Sequence, residues 1–115
     1  IQWIFSHAGG TAPGLMQRFN SYFAARKDLQ PRLPLGPTHY MERFYYDTAA
    51  ATTIYPLAAL TKLVKPTQIL FGTDYPFGPA KTVAAGLRAV GLFSAADLQA
   101  IERGNAARIM PRYRT

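Results

Sequence analysis

The segment ILFGTDYPF, residues Ile69–Phe77, contains the pattern that decides the fold. Its apolar start has the β-branched and aromatic composition of a buried strand, and the run stops at an ionisable residue, Asp74, before a turn at Pro76. A second apolar run, Gln2–Ser6, stops in the same way at His7. Because parallel sheets place ligands at the carboxyl ends of their strands, His7 and Asp74 are candidates for handling a proton or holding a metal ion.

Three short strands alternate with helical patterns along the chain. The strands are predicted at Gln2–Ser6, Arg43–Asp47 and Gln68–Gly72. Strands that alternate with helices form parallel sheets, so we expect an α/β array of order β-α-β-α-β-α-α-α with right-handed crossovers. His7 and Asp74 should then lie at the same carboxyl edge.

Proline, glycine and capping residues mark the predicted helix boundaries. We predict helices from Pro13 to about Arg26, from Thr53 to Pro66, from Pro79 to Gly91, and from a capping box at Ser94–Asp97 to Ile101. Gly104 is expected to break the last helix, and Asn105 to cap a short turn that ends at Met110. The proline-rich stretch Gln30–Pro37 is expected to be a loop.

Composition restricts the classes of protein to consider. A chain of 115 residues with 49% hydrophobic residues fits one ordered domain, and no segment approaches the roughly 20 apolar residues of a membrane span. The absence of cysteine excludes a thiol nucleophile and a Cys-ligated zinc, and it agrees with the cytoplasmic location that we expect. The net charge of +7 comes from scattered basic residues, so no nucleic-acid partner is expected; steep salt dependence would reveal one.

Five motifs together resemble the C-terminal portion of the amidohydrolase-related enzymes (amidohydrolase family 2). This family includes aminocarboxymuconate-semialdehyde decarboxylase and decarboxylases of 6-methylsalicylate and γ-resorcylate. The resemblance implies a (β/α)8 TIM barrel, of which residues 1–115 would be an incomplete C-terminal part holding strands six to eight with their helices. The motifs are Ser6–Gly10 (SHAGG), Arg18, Tyr45–Ala49 (YYDTA), Leu70–Phe77 (LFGTDYPF) and Gly104–Ile109 (GNAARI).

The resemblance also implies roles for individual positions. His7 is similar to the strand-six histidine that acts on water beside the metal, and Asp74 to the strand-eight aspartate that binds the metal. Arg18 lies where some of these decarboxylases have an arginine that reaches into the neighbouring subunit and grips the substrate carboxylate. Tyr75 and Phe77 are candidates to line a pocket for a planar aromatic acid, with core packing as the alternative.

One departure from the family pattern concerns the metal. The family's other ligands are a His-x-His on strand one and a histidine on strand five, whereas this chain has only His7 and His39, neither in a His-x-His. His39 falls in a predicted loop and is expected to be a surface or packing residue, and Asp47 is given only a structural role. Asp74, with His7 at best, falls short of the about three ligands of a zinc site. We therefore expect a partial protein, cut from something longer, that alone binds zinc weakly or not at all.

These features favour a metal-dependent enzyme that, in its complete form, removes CO2 without oxidation from an aromatic or unsaturated carboxylic acid. Its cofactor would be zinc, or another divalent metal, and its partner a small carboxylic acid. Arg18 favours decarboxylation over a first alternative, the hydrolysis of a cyclic ester or amide. A second alternative is a non-catalytic α/β fragment that associates with itself.

The isolated chain is predicted not to persist as a compact monomer. The edges of the first and third strands, and the apolar helix faces around Leu15–Phe23 and Leu57–Val64, would lack neighbours and invite pairing with a second chain. We expect sedimentation or light scattering at micromolar concentration to show a homo-oligomer. A stable 12.7 kDa species that unfolds cooperatively would contradict this prediction.

Overall fold

The computed structural model describes residues 1–113, and its centre is a small parallel sheet. The strands are β1 (Ile4–Phe5), β2 (Tyr45–Asp47) and β3 (Ile69–Leu70), in the order β1-β2-β3. Ile4 lies opposite Tyr45, and Tyr46 lies opposite Ile69. The predicted parallel arrangement is confirmed, although each strand is shorter than predicted.

Helices connect and follow these strands. The α-helices are α1 (Met16–Ala25), α2 (Gly36–Met41), α3 (Ile54–Leu63), α4 (Ala80–Ala89), α5 (Ala95–Gln99) and α6 (Asn105–Ile109). Short 3-10 turns cover His7–Gly9, Pro13–Leu15, Pro66–Gln68 and Pro111–Tyr113, and Ala100–Gly104 is π-helical. The predicted helices are present, and the structure adds one that the sequence did not predict, α2.

The core lies between the sheet and α3. Leu57, Leu60 and Leu63 recur at three-residue spacing, so one face of α3 is buried against the apolar side chains of the sheet, Ile69 among them. Full burial of a leucine contributes about 1.5–3 kcal/mol, which makes this face of α3 a main source of stability. Val83 and Leu87 bury α4 in the same way.

Tyr46 stands at the centre of the sheet and is fully buried. Its hydroxyl donates a hydrogen bond to the Met41 carbonyl at 2.8 Å, and burial raises the pKa of the phenol to about 12. Gly9 packs on this ring, where a Cβ atom would lie 2.8 Å from Tyr46 Cε1. The φ of +78° at Gly9 also favours glycine, so this position combines a tight turn with a close approach to the Tyr46 ring.

The C-terminal helices correct two predictions. Gly104 has helical dihedrals, and α5, the π-helical segment and α6 follow one another without a break. Asn105 is buried and does not cap a turn: its amide donates to the carbonyls of Pro66 at 2.9 Å and Ile69 at 2.8 Å. The physical reason is that these carbonyls need a donor, which a buried asparagine supplies. The predicted capping box is confirmed, with Ser94 and Asp97 bonded reciprocally.

The outer edge of β3 is covered by these helices. The Phe71 amide donates to the Ile101 carbonyl at 3.0 Å, and the Ile69 carbonyl accepts from Asn105. The prediction that this edge is open is therefore wrong, because the C-terminal helices satisfy its backbone groups. On the opposite side of the sheet, the side chains of Ile4 and Phe5 in β1 are 45% and 41% exposed.

The region before β2 differs from the prediction as well. Residues 26–35 form turns, as expected of a proline-rich stretch, but α2 begins at Gly36 with Pro37 in its first turn. His39 therefore lies in a helix and not in a loop, which corrects its placement. It is half-buried, as a packing residue would be, with its ring edge-on to Tyr40 at 5.3 Å.

No helix within residues 1–113 has the length and apolar character that crossing a membrane requires.

Replacing Asn105 with alanine is predicted to destabilise the chain by about 2–3 kcal/mol, because the Pro66 and Ile69 carbonyls both lose a buried donor. Urea denaturation followed by circular dichroism measures the change. The control is Asn20→Ala: Asn20 is exposed and bonds only the Thr38 hydroxyl, so its loss should cost no more than about 0.5 kcal/mol. Equal effects of the two substitutions would contradict the role assigned to Asn105.

Candidate functional site

The two residues that end the predicted strands lie at the same edge of the sheet. His7 follows β1 after a single residue, and Asp74 comes four residues after the end of β3. All three strands run parallel, so both residues lie beyond the carboxyl ends. This confirms the predicted common edge.

Left-handed backbone concentrates at this edge. Within residues 1–113, the non-glycine residues with positive φ are His7 (55°), Ala8 (54°), Ala50 (49°) and Asp74 (64°). Each of them follows a strand end. The left-handed region costs a residue with a side chain about 1–2 kcal/mol, and such cost is tolerated mainly where function requires the conformation. Within residues 1–113, unfavourable backbone dihedrals of residues with side chains are therefore concentrated at this edge of the sheet.

The His7 ring is held by one hydrogen bond. Its Nδ1 lies 2.9 Å from the carbonyl oxygen of Ala49, in the loop that follows β2. A carbonyl oxygen can only accept, so Nδ1 carries the proton in this bond. Nε2 is left as the nitrogen that can accept or donate a further proton.

Asp47 lies at the end of β2 between the two candidates. Its Oδ1 accepts a hydrogen bond from the His7 backbone amide at 2.9 Å and another from the Ala49 amide at 3.0 Å. The carboxylate is half-buried. The structural role expected of Asp47 is therefore to link the end of β1 to the loop after β2.

Thr48 and Gly72 join β2 to β3 beyond the regular ladder, a contribution that the sequence reasoning missed. The fully buried Thr48 hydroxyl donates to the Gly72 carbonyl at 3.0 Å and accepts from the Gly72 amide at 3.1 Å. A Cβ atom on Gly72 would lie 2.9 Å from Cγ of Asp47. The sequence feature that could have indicated this link is the polar pair Asp47–Thr48 at the end of an apolar strand, together with Gly72 at the end of the next strand.

Asp74 is half-buried, and its backbone carbonyl accepts from the amides of Phe77 at 2.8 Å and Gly78 at 3.1 Å. Within the described chain no hydrogen bond or ion pair engages its carboxylate. A partly buried carboxylate without a partner has the chemistry of a ligand for a divalent cation. The donors are too few in this chain, since residues 1–113 contain no group of three His, Cys, Asp or Glu able to hold a metal.

The candidate substrate residues are all exposed. Arg18 lies on α1, a helix without a buried residue. The side chains of Tyr75 and Phe77, in the loop after β3, are 86% and 85% exposed. Core packing, the alternative for these two aromatic residues, is therefore not their role in this chain.

The model of the amidohydrolase family matches residues 1–112. The chain belongs to this family. This amidohydrolase chain is 34% identical over 118 residues to 6-methylsalicylic acid decarboxylase of Penicillium expansum, which covers 95% of the chain and 34% of that protein. It is 32% identical over 120 residues to 6-methylsalicylic acid decarboxylase of Aspergillus aculeatus, covering 95% of the chain and 35% of the relative. The chain thus spans about a third of the length of these relatives.

Solved structures of the same family share the fold. 2,6-Dihydroxybenzoate decarboxylase from Rhizobium has a TM-score of 0.78 at 28% identity, over 94% of this amidohydrolase chain and 34% of that one. Dihydroxybenzoic acid decarboxylase from Polaromonas, solved with manganese and the inhibitor 2-nitroresorcinol, has a TM-score of 0.78 at 26% identity, over 99% and 35% of the two chains. Over the aligned residues, this chain therefore shares the α/β fold of these decarboxylases, with its three parallel strands.

Gly72→Ala is predicted to destabilise the chain by about 1–3 kcal/mol, because the added methyl group would overlap Asp47 and force its carboxylate away from the two amides. The matched control is Gly14→Ala, where a Cβ atom would meet nothing within 4 Å. That substitution should be neutral or slightly stabilising. Urea midpoints of the two variants test the difference, and equal midpoints would contradict the packing described for Asp47.

Proposed function

We propose that this chain supplies strands six to eight of a (β/α)8 barrel that acts as a metal-dependent, non-oxidative decarboxylase of an aromatic carboxylic acid. The observation that carries the proposal is that His7 Nε2 and the Asp74 carboxylate, neither of which makes a hydrogen bond within residues 1–113, both lie beyond the carboxyl ends of the strands. Relatives that decarboxylate 6-methylsalicylic and dihydroxybenzoic acids support the choice of reaction. Because the chain spans about a third of these relatives, the rest of the barrel is expected to complete the site.

Asp74 is the residue of this chain that would hold the metal. A bound divalent ion, zinc or the manganese of the Polaromonas structure, acts as a Lewis acid on a coordinated oxygen. A catalytic zinc site uses about three protein ligands, so the remaining ligands would come from strands outside this chain. The unengaged Asp74 carboxylate fits this incomplete donor set.

His7 is the residue that would move the proton. Decarboxylation of an aromatic acid replaces a C–COO⁻ bond by a C–H bond: the electron pair stays with the ring carbon, CO2 leaves, and one proton is added. The doubly protonated His7 ring can deliver that proton from Nε2 and so return to the neutral form, in which Nδ1 keeps its proton and its bond to the Ala49 carbonyl. The left-handed backbone at His7 holds the ring at the edge where such a substrate would lie.

The substrate carboxylate would be bound by arginine. Arg18 is exposed on α1 and makes no ion pair within residues 1–113, so it is available to a carboxylate in the site of a neighbouring subunit of a homo-oligomer. The exposed rings of Tyr75 and Phe77 would cover the face of a planar substrate. The net charge of +7 would attract the anion over longer range.

A chimaera tests the proposal. The chain replaces the matched third of the Penicillium expansum enzyme, and CO2 release from 6-methylsalicylic acid is measured with zinc or manganese added. We expect activity that falls by about 10²–10⁴-fold in His7→Gln, the range for loss of a general acid–base group. Asp74→Asn should lower both metal content and activity.

The matched control in the chimaera is His39→Gln, since this half-buried histidine on α2 has no part in the proposed chemistry. It should retain activity close to that of the unsubstituted chimaera. A folded, metal-loaded chimaera that releases no CO2 but opens a cyclic ester would contradict decarboxylation and favour hydrolysis. Full activity in His7→Gln would contradict the role of His7.

A further inference from the structure

We propose that Asp47 is a positioning residue that fixes the tautomer of His7, so that Nδ1 carries the proton of the neutral ring and Nε2 is the nitrogen open to the substrate. The importance of this tautomer for decarboxylation rests on the proposed function. The tautomer itself is a property of the chain that can be measured without any catalysis.

The Ala49 carbonyl is the acceptor of the His7 ring. The Ala49 carbonyl oxygen lies 2.9 Å from Nδ1 and can only accept, so the bond exists only when Nδ1 is protonated. In the neutral imidazole, which carries a single N–H, Nε2 is then an acceptor. The position of the Ala49 carbonyl therefore decides which nitrogen faces the substrate.

The Asp47 carboxylate holds the two residues of that bond together. A single oxygen, Oδ1 of Asp47, accepts from the backbone amide of His7 at 2.9 Å and from that of Ala49 at 3.0 Å. Asp47 thus holds the backbones of His7, the donor residue, and Ala49, the acceptor residue, against the same oxygen atom. His7 is left-handed, with a φ of 55°, and would be expected to relax toward ordinary dihedrals without this bond.

Asp47 is itself held by the pairing of β2 with β3. Asp47 lies opposite Leu70 in the register of β2 and β3. The hydroxyl of the next residue, Thr48, forms hydrogen bonds with both the carbonyl and the amide of Gly72. The carboxyl group lies where a side chain on Gly72 would be, with Oδ2 3.2 Å from the position of the missing Cβ atom. The position of the carboxylate is therefore fixed by the pairing of β2 with β3 and by its packing on Gly72.

The structure gives Asp47 no direct contact with the proposed proton path, which leaves through Nε2 of His7. Its effect passes through the backbone of His7 and Ala49. Substitution of a residue that acts in this way is expected to change which nitrogen of His7 is protonated, whereas substitution of a residue that only stabilises the fold would not.

Solid-state nitrogen NMR on the full chain labelled with ¹⁵N-histidine tests the proposal and does not depend on the oligomeric state. The chain has two histidines, so His39→Gln leaves the His7 ring as the single signal. Spectra are recorded at about pH 9, far above the pKa of about 6.5 of histidine in model peptides. We expect the proton on Nδ1 in this background, and again with Asp47→Asn, because the amide oxygen can still accept from the two backbone amides.

Asp47→Ala should instead give a mixture with substantial protonation at Nε2. The control is Asp28→Ala, which removes an exposed aspartate paired only with Arg26 and should leave the His7 signal unchanged. Circular dichroism verifies that each variant is folded. Should Asp47→Ala not fold, the parent background still tests the proposal, since a proton on Nε2 there would overturn it.

A proton on Nε2 in the parent background, or an unchanged Nδ1 signal in folded Asp47→Ala, would overturn the proposal. In the chimaera, Asp47→Ala is expected to lower kcat and leave KM nearly unchanged, since it alters proton transfer and not substrate binding. A chimaera that is inactive in every form would count against the proposed function alone, because the tautomer is read independently of activity.

Discussion

The hydrogen bonds accepted by one oxygen of Asp47 are the constraint on which the site depends. They tie the end of β1 to the loop after β2, two segments that are distant in sequence and that carry the donor and acceptor of the His7 ring bond. The bonds cross the sheet at the point where regular pairing ends. The geometry of this edge therefore follows from the half-buried carboxylate of Asp47 and from Gly72, the glycine that leaves room for it.

The same edge combines strain with rigidity. Four residues with side chains adopt left-handed backbone there, while the Thr48 hydroxyl continues the ladder between β2 and β3 for one more step. Strained dihedrals persist only where surrounding bonds determine the conformation, and the bonds of Thr48 and Asp47 do so here. The opposite end of the sheet is held by different means: Gln68 donates to the Glu42 and Phe44 carbonyls.

Local patterns predicted the strands, most helix boundaries and the common edge of His7 and Asp74, because strand composition, proline and capping boxes act over a few residues. Local patterns do not predict the conformation where a partner distant in sequence decides it. Gly104 is helical and Asn105 is a buried donor because the start of β3 offers carbonyls 36 and 39 residues away in sequence. The contacts of Asp47 with His7 and Gly72 likewise join separate strands, and no spacing along one segment reveals them.

The two sides of the sheet are chemically unequal, which limits how further strands can be added. In this chain the C-terminal helices bond the backbone of β3 through Phe71 and Ile69, whereas the outer edge of β1 pairs with no strand within residues 1–113. A further parallel strand from a segment of different sequence can therefore add directly beside β1. Closure of the proposed barrel on the other side, beside β3, requires the C-terminal helices to give up their bonds to Phe71 and Ile69. Two copies of the chain that met edge to edge through β1 about a two-fold axis would run antiparallel there, so they would not continue the parallel sheet.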